Sequence, residues 1–123
     1  RPRSSMIPTL VLNSDGSIRL AVGSPGGISI IAYVTKTIVG VLDWGLSGAE
    51  AIELPNVVAR SGSVAIEGER ADGLVEALRS FGHDVSGSAY EGSGIQLIEI
   101  DSDGTIRGGA DSRREGTFRV SGR

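Results

Sequence analysis

The chain has 123 residues, 12 basic and 15 acidic side chains and a formal charge of -3; 39% of its residues are hydrophobic, 22% are charged and 19 are glycine. That length suits one domain or part of a larger one, with enough apolar material for a core and too little charge for a disordered tail. With no cysteine, a single histidine and no cluster of Lys and Arg with interleaved aromatics, the sequence excludes disulfides and multi-His or thiolate metal sites, and argues against nucleic acid or an anionic membrane surface as partner.

Thr9 to Leu12 and Ser17 to Val22 are short aliphatic segments joined by Asn13-Ser14-Asp15-Gly16, which predicts a hairpin with a positive φ at the glycine. Gly23-Ser24-Pro25-Gly26-Gly27 breaks that pattern. Apolar residues then recur at Ile28, Ile31, Ala32, Val34, Val39 and Leu42, a spacing that predicts a helix of about four turns with Ile28, Ile31, Val34 and Ile38 packed on a sheet. The stretch is interrupted by Ser29, Thr35, Lys36 and Thr37 and falls short of the roughly 20 apolar residues of a membrane span. Ser47 and Glu50 have capping-box spacing, so a second helix is expected from Gly48 to about Leu54, before Pro55. Val64 to Glu67 reads as a strand. Asp72 is a candidate cap for a third helix through Leu74, Val75, Leu78 and Phe81 that stops at Gly82, with His83 just beyond. Asp84 to Ala89 and Ile95 to Asp101 read as strands, and Asp101-Ser102-Asp103-Gly104 predicts a second hairpin into Thr105 to Arg107, followed by an irregular tail from Asp111. This order implies an α+β fold, with helices layered on a largely antiparallel sheet.

The strongest local signal for chemistry is the glycine-rich turn at residues 23–27. Backbone N-H groups and the positive end of a helix dipole converge at such a turn, which would make it an anion or oxyanion site; alternatively the glycines serve only a tight strand-to-helix connection. The pattern is neither a phosphate loop nor a dinucleotide fingerprint, and no serine here has the flanking glycines of a nucleophile elbow. Ser4-Ser5 could hydrogen-bond a carboxylate or lie in a solvated loop. Asp15-Gly16 and Asp103-Gly104 lack the spacing of a calcium loop and read as turns, so no metal is implied. His83 suits a structural place at the end of its helix or in the core, and Asp111 with Arg113 and Arg114 suits a local salt-bridged turn.

Taken in order, Ser4-Ser5-Met6 with Pro8-Thr9, Asp15-Gly16, Gly23-Ser24-Pro25-Gly26-Gly27, Asp43 with Gly45, Glu50-Ala51, Gly82-His83 with Val85, and Asp111 with Arg113 resemble the gamma-glutamyltransferases, also called gamma-glutamyltranspeptidases. The likeness covers nearly the whole chain and implies that residues 1–123 correspond to the C-terminal portion of that family's small subunit. It implies part of an αββα sandwich of the N-terminal nucleophile hydrolases. In such enzymes a precursor cleaves itself into large and small subunits, and the new N-terminal threonine attacks a gamma-glutamyl amide such as that of glutathione. The acyl group then passes to water or to an amino acid. The resemblance assigns Ser4 and Ser5 to the glutamyl carboxylate and Gly26 and Gly27 to the oxyanion hole. It implies no cofactor, and as partners it implies the rest of the small subunit and the large subunit. It also suggests a periplasmic or extracellular location. The sequence begins with Arg1, which is neither a Met nor a threonine nucleophile, and the resemblance puts the family's threonine upstream of it, so the chain is expected to be a processed product or fragment, inactive alone. A cephalosporin-acylase-like enzyme of the same family, or a catalytically inactive binding or interaction module, are the alternative readings.

Overall fold

The computed structural model describes residues 4–60, 62–71, 73–85 and 92–119. Two hairpins build one four-stranded antiparallel sheet. The first joins β1 (Thr9–Leu12) to β2 (Ile18–Gly23), and the second joins β5 (Gln96–Ile100) to β6 (Ile106–Ala110); the order is β1-β2-β5-β6. Each turn is closed by its aspartate: Asp15 Oδ1 accepts from the Ser17 N-H at 2.9 Å, and Asp103 Oδ1 accepts from the Thr105 N-H at 2.8 Å. The hairpins lie more than seventy residues apart in sequence and meet through β2 and β5, which pair Leu20 with Glu99 and Val22 with Leu97.

Helix α1 (Ile30–Leu42) follows a 3-10 turn at Gly27–Ser29 and packs on the sheet beside α2 (Gly48–Glu53). Leu20, Val22, Ile30, Tyr33, Val34, Val41, Ala51, Ile52, Val58, Ile95 and Leu97 form the main core. The helical phase differs in part from the sequence reading. Val34 is buried and Ile38 packs against the core, whereas Ile28 and Ile31 are 39% and 52% exposed. Turning the helix to bury Ile31 would bring out Tyr33 and Val34, and two side chains at about 1.5–3 kcal/mol each outweigh one. Thr37 fits the buried face because its hydroxyl donates to the Tyr33 carbonyl at 3.0 Å. The two helices touch at Gly40, where an added Cβ would stand 2.9 Å from the Ala51 Cβ. The capping box of α2 forms as expected: the Ser47 N-H donates to Glu50 Oε2 at 2.8 Å, and the Glu50 N-H donates to Ser47 Oγ at 3.3 Å.

A second, two-stranded sheet pairs β3 (Val57–Arg60) with β4 (Ser63–Ile66); β3 has no counterpart in the sequence reading. Helix α3 (Leu74–Ser80) covers it through Leu74, Val75 and Leu78, packed on Val64, Ile66 and Ala71. Its N-cap position is Gly73, and Asp72 lies outside the described residues. Gly82 ends it as expected: the His83 N-H reaches the Leu78 carbonyl at 3.1 Å and the Gly82 N-H reaches the Arg79 carbonyl at 2.9 Å. The His83 side chain is exposed rather than stacked in the core. Of the strand expected at residues 84–89, only Asp84 and Val85 are described, and Val85 forms an isolated parallel bridge to Val64.

The fold is α+β, with an antiparallel sheet carrying helices on one face. The opposite face presents Leu10, Leu12, Ile98 and Ile106, each more than half exposed, with Phe118 lying over Gly108. The described residues thus hold one helix layer and one main sheet, and leave apolar surface uncovered.

Candidate functional site

At the end of β2 the chain leaves the sheet at Gly23 and enters the helix through Ser24, Pro25, Gly26 and Gly27. The turn requires glycine twice. Gly26 has φ 137° and Gly27 φ 58°, and a Cβ on Gly26 would stand 2.5 Å from the Tyr33 ring. The Ser29 N-H donates to the Gly26 carbonyl at 3.0 Å, which starts the 3-10 turn and sets the Gly26 and Gly27 amides at the head of α1. The first amides of a helix have no carbonyl partner within it, so they are directed toward whatever occupies the space before it.

The Ser4-Ser5 segment comes to the same place. The Ser5 N-H donates to the Gly27 carbonyl at 2.9 Å, joining two segments that are twenty-two positions apart in sequence. Ser5 is half-buried, Ser4 is exposed, and Met6 just after them is 82% exposed. A pair of hydroxyl-bearing residues therefore lies beside a pair of positive-φ glycines at a helix start.

Behind this turn is a buried polar network that sequence reasoning missed. Asp111, 1% exposed, accepts from the Ser93 hydroxyl at 2.5 Å, the Ile95 N-H at 3.2 Å and the Arg113 side chain at 3.1 Å. Asn56 Nδ2 donates to Ser93 Oγ at 2.9 Å. Arg113 also donates to Glu67 at 2.5 Å and to the Ile52 and Leu54 carbonyls at 3.0 and 2.9 Å, and Lys36 Nζ reaches those same carbonyls at 2.9 and 2.8 Å. Burial opposes ionisation of Asp111, but its donors Ser93, Ile95 and Arg113 outweigh it and hold the carboxyl below the usual aspartate range. Burial, helped by repulsion from Arg113, pushes the Lys36 ammonium down to about 8. The expected salt bridge between Asp111 and Arg113 is present, as one link of a wider set. No local pattern announces it, because Asn56, Ser93 and Asp111 are separated by 37 and 18 positions.

Among the described residues, no group of three or more His, Asp or Glu side chains could hold a metal ion, and no helix is long and apolar enough to cross a membrane.

The profile of the family described as gamma-glutamyltranspeptidase matches residues 1–121. The chain belongs to the gamma-glutamyltranspeptidase family. It is 36% identical over 118 residues to the glutathione hydrolase proenzyme of Bacillus subtilis (strain 168), an alignment that takes in 94% of the chain and 20% of that protein. It is 33% identical over 114 residues to the acylase ACY 1 proenzyme of Pseudomonas sp. (strain SE83), covering 93% of the chain and again 20% of the relative. The chain therefore spans about a fifth of the length of these relatives. Among solved structures, a mutant gamma-glutamyltranspeptidase from Helicobacter pylori superposes with a TM-score of 0.81 at 29% identity, over 93% of this chain and 63% of that one. The gamma-glutamyltranspeptidase fold, an N-terminal nucleophile hydrolase architecture, thus accommodates the hairpins, the glycine turn and the helix layer together.

Proposed function

We propose that this chain is the C-terminal portion of the small subunit of a gamma-glutamyl amide hydrolase or transferase, and that it supplies the oxyanion hole and part of the carboxylate site. The observation that carries the reading is the hydrogen bond from the Ser5 N-H to the Gly27 carbonyl, since it gathers a candidate carboxylate-binding pair and a candidate oxyanion pair at one helix start.

In this reading a threonine supplied by the remainder of the precursor attacks the gamma-carbonyl carbon of the substrate. Its hydroxyl proton passes to its own free amine, and the carbonyl oxygen becomes an oxyanion held by the Gly26 and Gly27 amides. Collapse expels the amine, which takes up the proton and leaves a glutamyl ester. Water or an incoming amine then attacks that ester through the same oxyanion and restores the threonine. Amides fixed by backbone geometry stabilise this charge without reorganising during the reaction. Ser4 and Ser5 donate hydroxyl hydrogen bonds to the alpha-carboxylate of the glutamyl group. The large subunit and the rest of the small subunit complete the site and cover the apolar face of the sheet.

A second reading, an acylase, is favoured by the 33% identity to the ACY 1 proenzyme. It keeps the oxyanion role of Gly26 and Gly27 and changes only what Ser4 and Ser5 contact. The test compares a gamma-glutamyl anilide with a glutaryl anilide on the complete protein, which differ by the alpha-amino group, and adds an aliphatic acyl anilide without a carboxylate. The proposal expects the gamma-glutamyl compound to be strongly preferred, with Ser5→Ala raising its KM and Gly26→Ala, whose Cβ would stand 2.5 Å from the Tyr33 ring and turn the Gly26 amide out of line, lowering kcat by about a hundredfold or more. Preference for the aliphatic acyl group would overturn the glutamyl assignment in favour of the acylase.

A further inference from the structure

We infer that Ser24 is a positioning residue that fixes the direction of the Gly26 amide, and that the buried Ser93 and Asp111 pair holds Ser24 in place from behind. This rests on the reading of Gly26 as an oxyanion donor. The key atom is the Pro25 carbonyl oxygen, which accepts from the Ser24 hydroxyl at 2.7 Å. That carbonyl shares a peptide plane with the Gly26 N-H. In a trans peptide the two point in opposite directions, so a hydroxyl that fixes the carbonyl also fixes the amide. Gly26 is where such a restraint is needed, because a glycine at φ 137° has few steric barriers of its own to rotation of the adjoining plane.

The Ser24 hydroxyl is itself oriented. It accepts the Gly94 N-H at 3.2 Å while donating to Pro25, so its proton is committed to the Pro25 carbonyl. Gly94 is gripped on both sides. The Ser93 hydroxyl and the Ile95 N-H both donate to Asp111 Oδ2, and the Asp111 N-H returns to the Ile95 carbonyl at 2.9 Å. Gly94 also lies close under the turn, where an added Cβ would stand 2.7 Å from Pro25 Cγ and 2.9 Å from Arg114 Cδ.

Filling space does not account for this arrangement. A buried polar group usually contributes no more stability than an apolar one of the same shape, and here Asn56 Oδ1 is buried with no hydrogen-bond partner among the described residues. What polar groups add is direction, and each bond in the series from Asp111 to Ser93, across the backbone to Gly94, then to Ser24 and Pro25, is directional. The Gly27 amide is fixed differently: its peptide plane carries the Gly26 carbonyl, which the Ser29 N-H holds. Ser24 therefore acts on one of the two donors.

The test measures kcat and KM of the complete protein for a gamma-glutamyl anilide with Ser24→Ala, Ser24→Thr, Ser93→Ala and Gly26→Ala. Ser24→Ala should lower kcat about tenfold with KM within twofold, below the hundredfold to thousandfold drop for losing an oxyanion donor outright. Ser24→Thr, which keeps the hydroxyl, should recover most of the rate, and Ser93→Ala should give a smaller fall of the same kind. Ser24→Cys, nearly isosteric but a weak donor, replaces Ser24→Ala if the alanine variant does not accumulate, and should show the same loss. A merely structural role would lower the amount of folded enzyme and leave kcat per active site unchanged, with the sites counted by the burst of aniline released as the acyl-enzyme forms. That outcome with Gly26→Ala inactive overturns the role of Ser24 alone. Full activity of Gly26→Ala overturns the oxyanion reading and this inference with it.

Discussion

Replacing Arg113 with methionine should destabilise the protein by about 3–5 kcal/mol, the range for breaking a buried ion pair from one side. The Arg113 side chain is 6% exposed and bridges Glu67 and Asp111, whose side chains are 22% and 0% exposed. Methionine keeps much of the volume but leaves both carboxylates without this cation. The Ile52 and Leu54 carbonyls are not stranded, because Lys36 still reaches them, so the cost falls on the carboxylates. Arg113→Lys keeps the charge but cannot span two carboxylates and two carbonyls with one ammonium group, and should lose about 1–3 kcal/mol. Adding Asp111→Asn to Arg113→Met removes the more deeply buried stranded charge and should recover about 1–3 kcal/mol, a coupling in the range for direct contacts. Urea unfolding at neutral pH followed by far-ultraviolet circular dichroism reads these differences as midpoint shifts at constant slope. A loss below about 1 kcal/mol for Arg113→Met, or no recovery in the double variant, would refute the claim that Arg113 balances buried charge.

Lys36 titrates near 8 when folded and near its ordinary value of 10.5 when unfolded, so the unfolded state binds more protons between those limits. Wild-type stability should therefore gain a contribution as pH rises from about 8 to 10 that Lys36→Met lacks, seen by comparing the two unfolding midpoints across that range. The Asp111 carboxyl is depressed, so its contribution is present above the ordinary aspartate range and lost as pH falls through its lowered value; Asp111→Asn should flatten the acid limb of the same curve. Gly40→Val should cost about 1–3 kcal/mol by forcing α1 and α2 apart where an added Cβ would stand 2.9 Å from the Ala51 Cβ, and thermal unfolding checks it.

The parts of the fold legible in the sequence are those decided locally. Asn13 to Gly16 and Asp101 to Gly104 close their hairpins through contacts two to four residues apart, and Ser47 with Glu50 caps α2 within one turn. Gly82 ends α3 for the same reason. The phase of α1 was not legible, because its β-branched residues are spread around the helix, and the choice of Tyr33 and Val34 over Ile31 is made by the sheet beneath. Strand β3 exists because β4 pairs with it, and Val57-Val58 after Pro55 offers too short a signal alone. In the candidate site, the glycine turn could be read directly, and the proximity of Ser5 to Gly27 follows from the family resemblance rather than from spacing. Ser24, Ser93 and Asp111 went unread as a unit since only the pairing of β2 with β5 and of β5 with β6 brings them together.

The proposed function requires that these residues belong to a precursor that cleaves itself and exposes an N-terminal threonine as nucleophile. Intact-mass analysis and N-terminal sequencing of the product expressed from the complete reading frame test it most directly. Two co-purifying chains are expected, the shorter beginning with threonine and containing this sequence. A single uncleaved polypeptide with no free threonine terminus, in protein shown to be folded, would contradict it.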